Sequence, residues 1–135
     1  MKTLYIIRGL PGSGKSTYAK SLGVPYFEAD MYFMKNGEYV FDRNQLHRAH
    51  TWCFDTVAGH VKGNFNVAVS NTFTTVKELK PYVDLAREHG YNVSIIEVKT
   101  SYGSVHNVPE ETLARMAARW QEVPADMFDK KVIVK

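Results

Sequence analysis

Short apolar runs alternate along this chain with longer stretches in which apolar residues return every three or four positions. Leu4-Tyr5-Ile6-Ile7 is apolar throughout and rich in β-branched and aromatic residues, the pattern of a strand buried on both faces. Residues 15–22 predict a short helix stopped at Gly23, and Val24 to Ala29 a second strand with Asp30 at its carboxyl end. Residues 31–41 show no period, and Asn36-Gly37 marks a turn among them. Asp42 is placed to cap a helix over about 43–62, which Gly63-Asn64 ends. Val67-Ala68-Val69 predicts a third buried strand. Thr75, with Glu78 three residues on, has the form of a capping box for a helix ending at His89-Gly90. Pro81 is expected to kink that helix or shift its start. Val93, Ile95, Ile96 and Val98 predict a fourth strand, and Val132 to Val134 a last one. Between these two, Pro109 to about Gln121 reads as an amphipathic helix with Leu113, Met116, Ala117 and Trp120 on one face.

Strands alternating with helices predict an α/β fold of three layers, a mostly parallel sheet of four to five strands with helices on both faces. Ligands of such sheets bind beyond the carboxyl ends of the strands. The loop after the first strand, Asp30 and Ser70-Asn71 would meet there. No repeat, low-complexity tract or linker interrupts the pattern, so residues 1–135 are expected to form a single domain. Within it, residues of about 31–63 would make an acceptor-side segment and about 100–109 a lid.

Composition adds only limits. The chain is 44% apolar and 23% charged, the balance of an ordinary globular protein. No run approaches the roughly 20 apolar residues of a membrane span, and the first apolar run leads straight into a glycine-rich loop. A cytoplasmic protein without membrane partners is expected. Cys53 stands alone, so no internal disulfide is available, and a buried packing role is expected for it. A net charge of +3 permits an anionic partner, but no basic run is longer than Lys130-Lys131. Oligomeric state is not legible.

The chemistry is concentrated in Gly9-Leu10-Pro11-Gly12-Ser13-Gly14-Lys15-Ser16, which matches G-x-x-x-x-G-K-[ST] at every fixed position. Glycines let the backbone curl so that successive N–H groups point inward at phosphate oxygens. A lysine at this position reaches the β- and γ-phosphates, and the following hydroxyl is a magnesium ligand. Gly9, Pro11, Gly12, Ser13, Gly14, Lys15, Ser16 and Thr17 are therefore the expected nucleotide-binding residues, with ATP and Mg2+ as cofactors and Ser16 as the metal ligand. The helix that starts at Lys15 adds its N-terminal dipole. Asp30, at the end of the second predicted strand, is placed to take a proton from an attacking hydroxyl.

The loop followed by Glu28-Ala29-Asp30-x-Tyr32 resembles the kinase module of phage polynucleotide kinase and, more closely, small P-loop kinases of the same superfamily. Tyr39-x-Phe41-Asp42, Ala49-His50-x-Trp52, Ser70-Asn71-Thr72-Phe73-Thr74, Lys80-Pro81-Tyr82 and Val108-Pro109-Glu110-Glu111 extend the likeness over roughly residues 3–122. The resemblance implies transfer of the ATP γ-phosphoryl to a hydroxyl, with Asp30 as base and Lys15 and Ser16 in their loop roles. Three positions depart from it. Phe33 stands where those kinases carry an arginine against the substrate phosphate, Asn71 where they carry an aspartate, and Gly103 where the lid carries an arginine.

Arg115 is the candidate to replace the lid arginine at the γ-phosphate; its alternative is a solvated pair with Glu111, four residues earlier. Arg119 is expected to pair with Glu122, and His106 offers a further phosphate donor in the lid. His47 and His50 share a face of the long helix, where packing is expected rather than metal ligation. The sequence thus predicts an ATP-dependent kinase acting on a hydroxyl acceptor, a polynucleotide 5′-hydroxyl or a nucleotide or nucleoside. A nucleotide-binding regulator without transferase activity and a small-molecule kinase are the alternatives.

Overall fold

A computed structural model describes residues 1–100 and 108–135. Five strands form one sheet: β1 (Thr3–Arg8), β2 (Tyr26–Phe27), β5 (Val67–Asn71), β6 (Asn92–Val98) and β7 (Lys130–Val134), in the spatial order β2-β5-β1-β6-β7. Every pairing in it is parallel. Four helices accompany it: α1 (Lys15–Ser21), α2 (Leu46–Lys62), α3 (Val76–Glu88) and α4 (Glu110–Ala118). Fold class and strand number agree with the sequence pattern.

Burial follows the two-residue period of the strands. Leu4, Ile6, Val67, Val69, Val93 and Ile95 turn to one face and share a core with residues of α2 and α3, such as Val57, Val61, Leu79 and Val83. Ile7, Ala68, Ile96 and Val98 turn to the other face, against Ala19 of α1. The sheet is thus apolar on both sides, as buried parallel strands are. From central β1 the chain crosses to edge β2, returns through β5 beside β1, then continues on the opposite side with β6. The carboxyl ends of β1, β5 and β6 therefore border one crevice.

Local differences from the sequence reading have physical causes. Strand β2 keeps only Tyr26 and Phe27 in the ladder, and Ala29–Phe33 winds into a 3-10 turn that carries Asp30. Asn36 and Gly37 adopt φ of 52° and 83°, the pair of left-handed residues that a two-residue hairpin requires. They join two short strands the sequence did not suggest, β3 (Met34–Lys35) and β4 (Glu38–Tyr39). The Asp42 side chain accepts from Asn44 N and caps a 3-10 turn, Arg43–Gln45, ahead of α2. Thr75 does not cap α3 with its side chain; its hydroxyl donates to the Glu78 carboxylate instead. Pro81 lies within α3 without ending it or moving its start. Helix α4 stops at Ala118, leaving Trp120 beyond it.

Candidate active site

The loop between β1 and α1 is built on close backbone approach. Gly12 and Gly14 sit at φ of 81° and 93°, a region side chains avoid. At Gly9 the constraint is space: a Cβ there would lie 2.6 Å from Ser13 Oγ and 2.6 Å from the Val98 carbonyl. Gly9 N donates to Thr72 O at 3.3 Å, and Ser13 N to Leu10 O at 3.1 Å. The loop is thereby seated against the ends of β5 and β6. The Ser13 hydroxyl is buried with no hydrogen-bond partner among the described residues, as is that of Ser70 at the end of β5. Buried orphan hydroxyls are rare in finished packing and suit a site that waits for a polar ligand.

Lys15 donates to Leu10 O at 3.1 Å, so its ammonium is held at the mouth of the loop. Burial lowers its pKa, while the charges of Glu28 and Asp30 oppose that shift. The loop is a cationic pocket only part-solvated, where a phosphate would restore what the ammonium loses on leaving water. Ser16, exposed on the first turn of α1, donates its hydroxyl to Glu28 Oε2. These hard oxygen donors fit a magnesium ion, which takes one or two protein ligands and completes its shell with phosphates and water. Among the described residues no group of three or more His, Cys, Asp or Glu side chains is placed to hold a metal alone.

Asp30 is exposed, and Tyr39 at the end of β4 donates to its Oδ1 at 3.3 Å. Burial first, then the Asp30 carboxylate, pushes the Tyr39 pKa up to about 12, so the phenol stays a donor at neutral pH. Asn71 is already engaged: its Oδ1 accepts from Ala29 N at 3.0 Å and its Nδ2 faces Cys53 Sγ at 3.8 Å. Cys53 is buried, and desolvation raises its pKa. On the segment that follows Asp30, a hollow of about 590 Å3 is lined by Tyr32, Phe33, Met34, Lys35, Val40, Asp42 and Gln45.

On the other side of the loop, a cleft of about 400 Å3 runs between Leu10, Pro11 and Val98 and the α4 residues Leu113 and Ala117, with Trp120 beyond. This is the apolar face of α4 that the periodicity indicated. Arg115 lies roughly 200° round the helix from Leu113, is exposed and donates to Thr112 Oγ1 at 3.2 Å. Arg119 binds Thr74 Oγ1 at 3.0 Å, not Glu122, and so fastens α4 to the loop after β5. His47 and His50 are exposed rather than packed. His106 and Gly103 fall outside the described residues.

Lys15, Ser16 and Asp30 thus come together at the carboxyl edge. Two residues of the site, Glu28 and Tyr39, stood in the motifs of the resemblance but carried no role in the sequence reading. The available signal for Glu28 was its place two residues before Asp30, on the same segment.

A family model described as an AAA domain matches residues 4–106. The chain is 34% identical over 134 residues to NEDD4-binding protein 2 of Homo sapiens, covering 87% of this chain and 8% of that protein. It is 32% identical over 108 residues to 2',3'-cyclic-nucleotide 3'-phosphodiesterase of Mus musculus, covering 75% of this chain and 25% of that protein. It therefore spans only a small part of either relative. The fold is similar to that of a sugar kinase from Janibacter sp. HTCC2649, with a TM-score of 0.67 and 14% identity over 99% of this chain and 85% of that one.

Proposed function

We propose a phosphotransferase activity for this chain, which belongs to the AAA domain family by the match over residues 4–106: transfer of the ATP γ-phosphoryl to a hydroxyl acceptor. The observation that carries it is the glycine-rich loop with Lys15 held at its mouth by Leu10 O, at the carboxyl edge of the sheet where the exposed Asp30 also lies. The residues of the loop, 9–17, hold the triphosphate through backbone amides, with Lys15 at its β- and γ-oxygens. Magnesium, when bound through Ser16, neutralises charge on the phosphates. Asp30 accepts the proton of the acceptor hydroxyl, and Tyr39 holds that carboxylate in place through its hydrogen bond. The hollow lined by Tyr32, Phe33 and Lys35, on the segment after Asp30, is the proposed acceptor side. Its lining of aromatic, apolar and polar side chains, with Lys35 and Asp42 of opposite charge, leaves room for a polynucleotide 5′-hydroxyl, a nucleotide or a nucleoside.

A second reading, nucleotide binding without transfer, draws on Arg115, which is exposed and hydrogen-bonded to Thr112 of its own helix. The two separate in one experiment. The protein is incubated with γ-labelled ATP, magnesium and a panel of 5′-hydroxyl oligonucleotides, nucleosides and polyols, beside Asp30→Ala. Label that appears on an acceptor and vanishes with Asp30→Ala is the expected result. Nucleotide bound with no label transferred to any acceptor would establish the second reading instead.

A further inference from the structure

Phosphate-binding loops work with a carboxylate near the metal, ordinarily at the end of the strand beside the loop strand. Here that strand is β5, and it ends in Ser70 and Asn71, both neutral. Asn71 is committed to Ala29 N and Cys53, and the Ser70 hydroxyl has no hydrogen-bond partner among the described residues. The negative charge has to come from another element.

Glu28 supplies it. It follows the short edge strand β2, one strand further out than β5, yet its Oε2 accepts the Ser16 hydroxyl. A hydroxyl that ligates a cation must turn its hydrogen away from the metal. An acceptor on that side fixes the rotor and leaves the oxygen lone pairs free, which is how carboxylates beyond a metal's own ligands orient them. The second oxygen, Oε1, remains for a metal-bound water. Asp30, two residues on, is engaged differently, with the Tyr39 phenol.

We infer that Glu28 is the metal-positioning carboxylate of this site: it orients the Ser16 oxygen toward magnesium and provides the charge absent from the end of β5, while Asp30 serves the acceptor. This rests on the loop being a nucleotide site. Carboxylate duties are thus divided between two residues of one segment.

Calorimetry with ADP, and with a non-hydrolysable ATP analogue, measures affinity in magnesium and in EDTA, so the readout is independent of turnover. In the wild type, magnesium should strengthen binding. Glu28→Gln should lose that gain, with a tenfold to hundredfold weaker apparent metal affinity, the usual scale for a second-layer ligand. Its affinity in EDTA should be unchanged. Asp30→Asn should keep the magnesium dependence. Ser16→Ala, which does not rely on the fold tolerating a change at Glu28, should lose the same gain, and the double variant should lose no more than either alone. Manganese titration followed by electron paramagnetic resonance gives the metal affinity directly. A Glu28→Gln protein with the wild-type magnesium dependence would overturn the assignment while leaving the nucleotide site intact. A wild type that binds neither nucleotide would remove both.

Discussion

The guanidinium of Arg8 lies 3.7 Å from the centroid of the Trp120 ring, so the last residue of β1 carries the segment that follows α4. Arg8 is fully buried, pairs with Glu97 at 2.9 Å and donates to the carbonyls of Phe73 and Thr74. The other Glu97 oxygen has no hydrogen bond, but Lys131 Nζ stands 3.4 Å away and completes the neutralisation. This cluster joins the root of the loop, the turn after β5 and the end of α4. Phe73 in that turn holds φ at 45°, a strained value for an aromatic residue, and its carbonyl takes two of the Arg8 hydrogen bonds. Arg8→Ala leaves Glu97 buried with only Lys131 nearby. A loss of about 3–5 kcal/mol is expected, the scale for breaking a buried ion pair, measured by urea unfolding. Arg8→Lys should recover little, because a single ammonium cannot span Glu97 and two carbonyls.

Gly9→Ala should cost nucleotide binding and stability together. One of the two atoms its Cβ would meet at 2.6 Å is the Val98 carbonyl, backbone of a buried strand that has no freedom to retreat. Destabilisation of about 1–3 kcal/mol is expected from overpacking, read by thermal melting. Gly59, where an added Cβ would meet nothing within 4 Å, is the control: Gly59→Ala should be neutral or stabilising.

Lys15→Ala should abolish nucleotide binding and leave the fold at least as stable as before. The ammonium is part-desolvated and held within the protein by one hydrogen bond, to Leu10 O, so its removal relieves burial of a charge. Calorimetric titration with ATP alongside melting curves tests both halves. Wild-type affinity in this variant would refute the loop's role.

Asp129 carries a pH signature distant from the site. Its Oδ2 accepts from Val93 N at 2.8 Å and from Arg87 at 2.7 Å, and those two partners lower its pKa. A carboxylate with a depressed folded pKa adds stability above its unfolded value, about 4, and loses it as pH falls through the folded value. Asp129→Asn should therefore lower stability at pH 7 and converge with the wild type in acid. Since the Arg87 and Asp129 side chains are 39% and 43% exposed, screening keeps the ion pair's share under about 1 kcal/mol. Melting the two proteins from pH 7 down to pH 3 gives the difference directly.

Much of this arrangement was legible in the chain itself, for identifiable reasons. The loop announces itself because glycine, lysine and serine must stand at fixed offsets for backbone amides to surround a phosphate. The strands show because both faces are buried. The hairpin's turn was readable from Asn36-Gly37, but its two-residue strands were too short to carry a period. The Ser16–Glu28 contact joins a helix start to a strand end twelve residues on, and depends on where β2 joins the sheet. Arg115 was readable as surface, since Leu113 and Ala117 already claim the apolar side of α4. Which way that side turns is a tertiary fact. Arg119 likewise reaches Thr74 rather than its sequence neighbour Glu122 because the end of α4 packs across the turn after β5.

The phosphate loop hangs from the innermost strand, locked between neighbours on either side, whereas the stretch bearing Asp30 and the hairpin hangs from a two-residue outer strand with a single neighbour. The glycine loop and the hairpin are therefore anchored at different depths in the sheet. Insertions at the Asn36-Gly37 turn, which lies beyond Asp30 and the buried Phe33, should be absorbed without displacing the loop at Lys15.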